Sequence, residues 1–164
     1  MTEAHAQSGP LTDEEQDFLR ALARVLVFLP RAFGADLGHE HGLSMSEFFT
    51  LMYLSDSPDG HLRMGDLAEV TALSLGAVTR VAALLVEKGL VERVPNVGDG
   101  RVREVGLTEA GRVRLARARP VHEASARRRI FDNLEPSDVR MCTAMLSRMS
   151  EESSASSSEG RKRP

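Results

Sequence analysis

The sequence contains no tryptophan and one tyrosine, and aromatic residues make up only 4% of its 164 positions. A core therefore has to be filled mostly by Leu, Val, Ala and Met. The single cysteine, Cys142, excludes an internal disulfide, and a reducing cytoplasm is the expected compartment. No stretch of about 18 consecutive apolar residues occurs, so no membrane span is expected. The N-terminal MTEAHAQSGP lacks the basic start and apolar run of a secretory signal. A Ser-His-Asp set, a phosphate-binding glycine loop and paired carboxylates at a plausible site are also missing. Their absence argues against an enzyme. Only His39-Glu40-His41 resembles a metal fragment, read here as lying on a loop, and no second histidine cluster or thiol is near it in sequence. Polar surface is the simpler reading, and neither a metal nor a cofactor is expected.

What is present suits one compact domain with extra helices, since 41% of the residues are hydrophobic. The net charge of −3 is unevenly spread. Residues 1–60 carry 3 Arg against 10 acidic groups, residues 61–112 balance at 7 and 7, and residues 113–164 carry 11 basic against 7 acidic groups. An acidic chain can still bind nucleic acid where its basic groups converge. Residues 1–11 read as a disordered arm. Thr12 to Glu15 is a capping box, so a helix starts there with Phe18, Leu19, Leu22, Val25, Leu26 and Leu29 on its apolar side. Pro30 is expected to kink or interrupt it, and the stretch Gly34 to Gly42 to end it. Ser44 to Glu47 is a second capping box, opening a helix through Leu54, and 55–60 is a loop. A short helix spans Arg63 to Val70. Ser74 caps a helix from Leu75 to Lys88, which Gly89 stops. Thr108 caps a long helix over Glu109 to Asn133 that Pro120 can bend, and Pro136 opens a last helix bearing Val139, Cys142, Leu146 and Met149. Residues 151–164 are low-complexity and expected to be disordered.

Between Gly89 and Thr108, two β-prone runs, Leu90 to Val94 and Arg101 to Leu107, flank a turn-rich middle. That is a hairpin signature. A short helix, a turn, a second helix and then a hairpin make a winged helix-turn-helix, so the expected class is mainly α with a small β component (α+β). In such a motif the second helix enters the DNA major groove and the hairpin reaches the next groove. Val78, Val81, Ala82 and Leu85 form the inward face of the second helix, while Leu75, Gly76, Thr79, Arg80 and Ala83 face outward. Small residues at its start permit close approach to DNA, and Thr79 and Arg80 are candidates to bond bases or phosphates. The arginines of the hairpin, Arg101 and Arg103, have a simpler alternative use in keeping an edge strand soluble.

Residues 67–112, LAEVTALSLGAVTRVAALLVEKGLVERVPNVGDGRVREVGLTEAGR, resemble the MarR family of dimeric winged-helix transcriptional regulators. The resemblance is carried by Leu67-Ala68 in the first helix of the motif and by Val78, Thr79 and Arg80 in the second. It continues through Gly89 to Arg93 into the wing, Asp99 and Arg101 within it, and Leu107, Thr108 and Gly111 after it. Ala83 and Leu84 depart from the charged and basic residues often found there. The resemblance implies a homodimer on a pseudo-palindromic double-stranded DNA operator, most simply as a repressor. The expected DNA-binding residues are Ser74, Leu75, Gly76, Ala77, Thr79, Arg80, Asp99 and Arg101, with Arg103, which has no fixed role in the family, added as a phosphate contact. Arg101 would enter the minor groove, held by Asp99. Residues 44–108 would be the DNA-binding domain, and residues 12–43 with 109–150 the helical dimerisation region. A small-molecule effector would sit between them, near Phe28, Arg31, Phe49, Tyr53 and Arg117. Cys142 reads as a small buried hydrophobe. Arg112 has a phosphate within possible reach, and the other arginines of the long helix are expected to pair with Glu14, Glu15 and Asp17. The alternative is a winged-helix protein-interaction module that never touches DNA.

Overall fold

The structure is a computed structural model that describes residues 9–94 and 104–160, with side chains through residue 150. Helix α1 (Asp13–His41) begins at the Thr12/Glu15 capping box, where both reciprocal bonds form. Pro30 lies inside α1 without ending it. The loss of one backbone donor is outweighed because Phe33 and Leu37, in the next two turns, are buried in the core. Gly34 and Gly38 are likewise helical, and the helix ends at Gly42 (φ 63°), whose N–H bonds back to the carbonyls of Leu37 and Gly38. His39, Glu40 and His41 therefore occupy the last helical turn, not a loop as the sequence suggested.

Helix α2 (Met45–Asp56) starts at the Ser44/Glu47 box. Strand β1 (His61–Arg63), missed in the sequence, runs directly into α3 (Met64–Thr71). Ala72, in the left-handed conformation (φ 53°), makes the turn into α4 (Leu75–Glu87), and Ser74 caps α4 by accepting from the Ala77 amide. Strands β2 (Val91–Val94) and β3 (Glu104–Leu107) pair antiparallel with Val91 opposite Leu107 and Val94 opposite Glu104. β1 adds to the far side of β3, giving the order β1-β3-β2. Helix α5 (Glu109–Arg129) contains Pro120 and ends before the sequence expectation, because Phe131–Asn133 form a short 3-10 turn. Helix α6 (Pro136–Gly160) continues through the first ten residues of the stretch read as a tail. The run Glu151-Glu152 and the serines and alanine after it contain no Pro, and no Gly before Gly160, to stop a helix.

The core gathers Leu37 of α1, Phe48, Leu51 and Leu54 of α2, Leu67 of α3, Val78, Ala82 and Leu85 of α4, Val91, Val105 and Leu107 of the sheet and Leu115 and Ala118 of α5. Two compact units result, residues 1–122 and 123–164. The division falls within α5. The reason is that α1 and the first half of α5 supply side chains to the same core as the winged helix.

Candidate DNA-binding surface and the adjoining cavity

The two helices of the motif, α3 and α4, meet at 106°, the angle of a helix-turn-helix. The inward face of α4 is as its spacing predicts: Val78, Ala82 and Leu85 are buried and Val81 is half-buried. Ser74, Leu75, Gly76, Thr79 and Arg80 are exposed together on the outer side, with Ala77 half-buried between them. The Thr79 hydroxyl donates to the Leu75 carbonyl at 2.8 Å. Its proton is thus used inside the helix, and toward a base it can act only as an acceptor. Leu75 is 57% exposed at the first turn of α4, where a methyl group of thymine is a suitable partner. A Cβ placed on Gly76 would meet no atom of the described residues within 4 Å, so nothing among them requires glycine there.

Residues 95–103 of the wing, with Asp99, Arg101 and Arg103, lie outside the described residues. Its base is defined. Arg63 of β1 reaches Glu104 of β3 at 3.4 Å. The Thr108 hydroxyl donates to the Gly89 carbonyl at 2.8 Å and accepts from the Gly111 amide at 3.0 Å, locking β3 and the start of α5 onto the end of α4. A Cβ on Gly111 would lie 2.1 Å from the Leu90 carbonyl oxygen. The glycine in the pattern Leu107-Thr108…Gly111 is therefore what lets α5 pass the wing.

A tie at the other end of α4 was not foreseen. Lys88 Nζ meets Glu47 Oε1 at 2.5 Å and the Gly42 carbonyl at 3.0 Å. The Glu47 side chain is 5% exposed and that of Lys88 38%. Burial would raise the Glu47 pKa, but the hydrogen bond from Lys88 and those at the Ser44 cap outweigh it and hold the carboxyl below its ordinary value. The C-terminal end of α4 is thereby fastened to the α1–α2 corner. Arg114 of α5 fastens the same corner by donating to the His41 carbonyl at 2.6 Å.

Beside that corner lies a cavity of about 360 Å³. Leu29 and Phe33 of α1, Met45 and Phe49 of α2 and Leu73 before α4 supply apolar walls, and Ser46 and Thr71 are its polar residues. Of the five residues expected around an effector, only Phe49 lines it. Tyr53 is half-buried with its ring 6.4 Å from that of Phe49. Phe28, Arg31 and Arg117 are exposed. Arg112, Arg114 and Arg119 do not make the pairing with Glu14, Glu15 and Asp17 that was expected of the α5 arginines. Among the described residues, Arg112 stands 3.8 Å from Glu109 and Arg119 3.9 Å from Asp56, while Asp17 pairs with Arg20.

The model of the MarR family matches residues 41–102. The HTH-type transcriptional regulator MhqR of Bacillus subtilis (strain 168) is 33% identical over 111 residues, covering 68% of this chain and 74% of that one. This chain belongs to the MarR family. MarR-family proteins are DNA-binding transcriptional regulators, not enzymes. Two solved structures from Streptomyces coelicolor have the same architecture. Sco3205, a MarR family regulator in complex with DNA, matches with a TM-score of 0.86 and 26% identity over 90% of this chain and 92% of that one. AbsC matches with a TM-score of 0.84 and 30% identity over 90% of this chain and 99% of that one. No single helix among the described residues is long and apolar enough to cross a membrane.

Proposed function

We propose that this MarR-family regulator is a cytoplasmic homodimeric repressor whose hold on a pseudo-palindromic operator is relieved by a small molecule. The observation that carries the reading is the exposed outer face of α4, with Leu75, Gly76, Thr79 and Arg80 free of the core. Ser74 and Ala77 complete the helix start that meets the major groove. The wing then brings Arg101 into the minor groove, steadied by Asp99, with Arg103 on the backbone. A narrow A·T-rich groove concentrates negative potential and attracts arginine.

A second copy is the natural cover for the apolar stripes that each unit leaves in solvent. On α1 these include Leu19 at 52% and Leu26 at 65% exposed, and on α6 Met141 at 66% and Leu146 at 51%. Patches of this kind mark association surfaces. Residues 12–43 and 109–150 supply them, and residues 44–108 supply the DNA-binding face. Other proteins of this fold support an effector role: BpsR of Bordetella bronchiseptica is regulated in DNA binding by 6-hydroxynicotinic acid, and CouR of Rhodococcus jostii RHA1 was solved bound to p-coumaroyl-CoA. Here Met45 and Ser46 wall the cavity and Glu47, next in sequence, grips Lys88. An occupant that displaces the start of α2 thus has a short path to α4 and changes the spacing of the two reading helices.

The test is Arg101→Ala in the full-length chain. The plot of log affinity against log salt should flatten by about 0.9 per arginine, roughly two units per dimer, with fold and dimer mass unchanged. Parental affinity and an unchanged slope would return the wing arginines to a solubility role and leave the protein-interaction module as the better reading.

A further inference from the structure

Among the described residues, none that line the cavity beside the α1–α2 corner carries a charged side chain. Arg31 and Arg117, the cations that sequence placed around an effector, are exposed and do not line it. Glu47 adjoins Ser46 in sequence, yet its carboxylate is committed to Lys88 and to the Ser44 cap. The two polar wall residues offer little to an ion. The Thr71 hydroxyl already donates to the Leu67 carbonyl at 2.6 Å, so it can only accept, and Ser46 adds one hydroxyl. The space opens to solvent past Val25 and Leu26, but an ionised carboxylate carried in against Phe33 and Phe49 would give up part of its water and meet no cation among the lining residues. An apolar body would gain contact with Phe33 and Phe49. Those two rings are held by a shared neighbour, His122, whose ring centre is 5.0 Å from Phe33 and 5.9 Å from Phe49. At about 360 Å³ the cavity is at the small end of ligand sites.

We infer that this cavity takes a neutral, largely apolar molecule, with aromatic character and at most one or two hydrogen-bonding groups, and rejects the ionised acid of the same shape. The inference rests on the effector reading above and narrows it to a chemical class.

A matched pair of probes tests it on the full-length dimer: 2-naphthol, neutral at pH 7, and 2-naphthoate, ionised at pH 7. The chain has no tryptophan, so naphthyl fluorescence is read over little background. 2-Naphthol should bind at least tenfold more tightly than 2-naphthoate. Between pH 7 and pH 6 the apparent affinity for 2-naphthoate should rise about tenfold, as its neutral fraction does, while that for 2-naphthol stays flat. Thr71→Lys places an ammonium on the wall at the end of α3, where the helix dipole favours a cation, and should reverse the preference. Ser46→Arg is the second variant if the first does not fold. Equal or tighter binding of 2-naphthoate by the parent chain overturns the charge assignment and leaves the effector reading intact. Binding of 2-naphthol that neither variant alters places the ligand elsewhere and overturns the inference. Binding of neither probe overturns both the inference and the effector reading.

Discussion

Replacing Gly76 with alanine should separate what the fold needs from what DNA needs. Gly76 is the second residue of α4, it is exposed, and its φ is not positive. An added Cβ would touch no atom within 4 Å. Glycine inside a helix is less favourable than alanine by about 0.5–1 kcal/mol, and no contact among the described residues offsets that cost. Gly76→Ala should therefore stabilise the fold by about that amount and raise Tm by roughly 1–4 °C for a chain of this size. On DNA the effect should have the opposite sign. If the start of α4 seats against the floor or wall of the major groove, a methyl group there is overpacked by about 1–3 kcal/mol at each half-site. For the dimer this is a loss on the order of 30-fold or more in affinity. The assay is a thermal melt beside a fluorescence-anisotropy titration of the operator duplex at fixed salt. A raised Tm with unchanged or tighter DNA binding would refute close approach at Gly76. A lowered Tm would refute the reading of its local structure.

Four further outcomes follow from other contacts. Gly111→Ala should lower stability by about 1–3 kcal/mol, since its Cβ meets the Leu90 carbonyl, and a urea melt with parental midpoint would contradict this. Ala72→Gly should raise stability by about 1 kcal/mol, because Ala72 holds a left-handed conformation (φ 53°) between α3 and α4, and a lower Tm would count against it. Lys88→Met leaves the Glu47 carboxylate buried without its partner and should cost about 1–3 kcal/mol, the lower end because Lys88 is over a third exposed. The folded pKa of Glu47 is depressed, so the pair's contribution is present above the unfolded carboxylate pKa and lost as pH falls through the folded one; the difference between parent and variant melts should shrink only in that acidic window. Substituting uracil for thymine in the half-sites should weaken binding about fourfold for each lost methyl contact; Leu75→Ala should reduce that discrimination, and a parental thymine-to-uracil ratio in the variant would remove Leu75 from base reading.

Features set by hydrogen bonds within a few residues were legible from sequence. The Thr12/Glu15 and Ser44/Glu47 boxes and the Ser74 cap all form where the spacing placed them. Val78, Ala82 and Leu85 turn inward as a period of 3.6 requires. Features set by distant partners were not legible. β1 has three residues and exists only because β3 pairs with it from Glu104 to Gly106. Pro30 was read as a kink or an interruption; Phe33 and Leu37 bury beyond it and the helix is not interrupted. Glu47 was visible as a cap, while its ion pair joins residues 41 positions apart. Of the proposed DNA-binding residues, those on α4 come together on one exposed surface, with Ala77 half-buried. Asp99 and Arg101 rest on the family pattern, and Arg103 on its place in the wing alone, because all three fall among residues 95–103, outside the described residues. Arg31 and Arg117 are exposed and do not line the cavity beside the α1–α2 corner.

The central claim, that two copies of α4 and the wing together read a two-fold DNA site, is tested most directly by selecting bound duplexes from a random library with the full-length chain. The expected product is a pseudo-palindrome whose half-sites are centred about one helical turn, roughly 10 base pairs, apart, with A·T enrichment where the wings fall. A library that yields no enriched motif, or a single asymmetric site occupied by one chain, would contradict it.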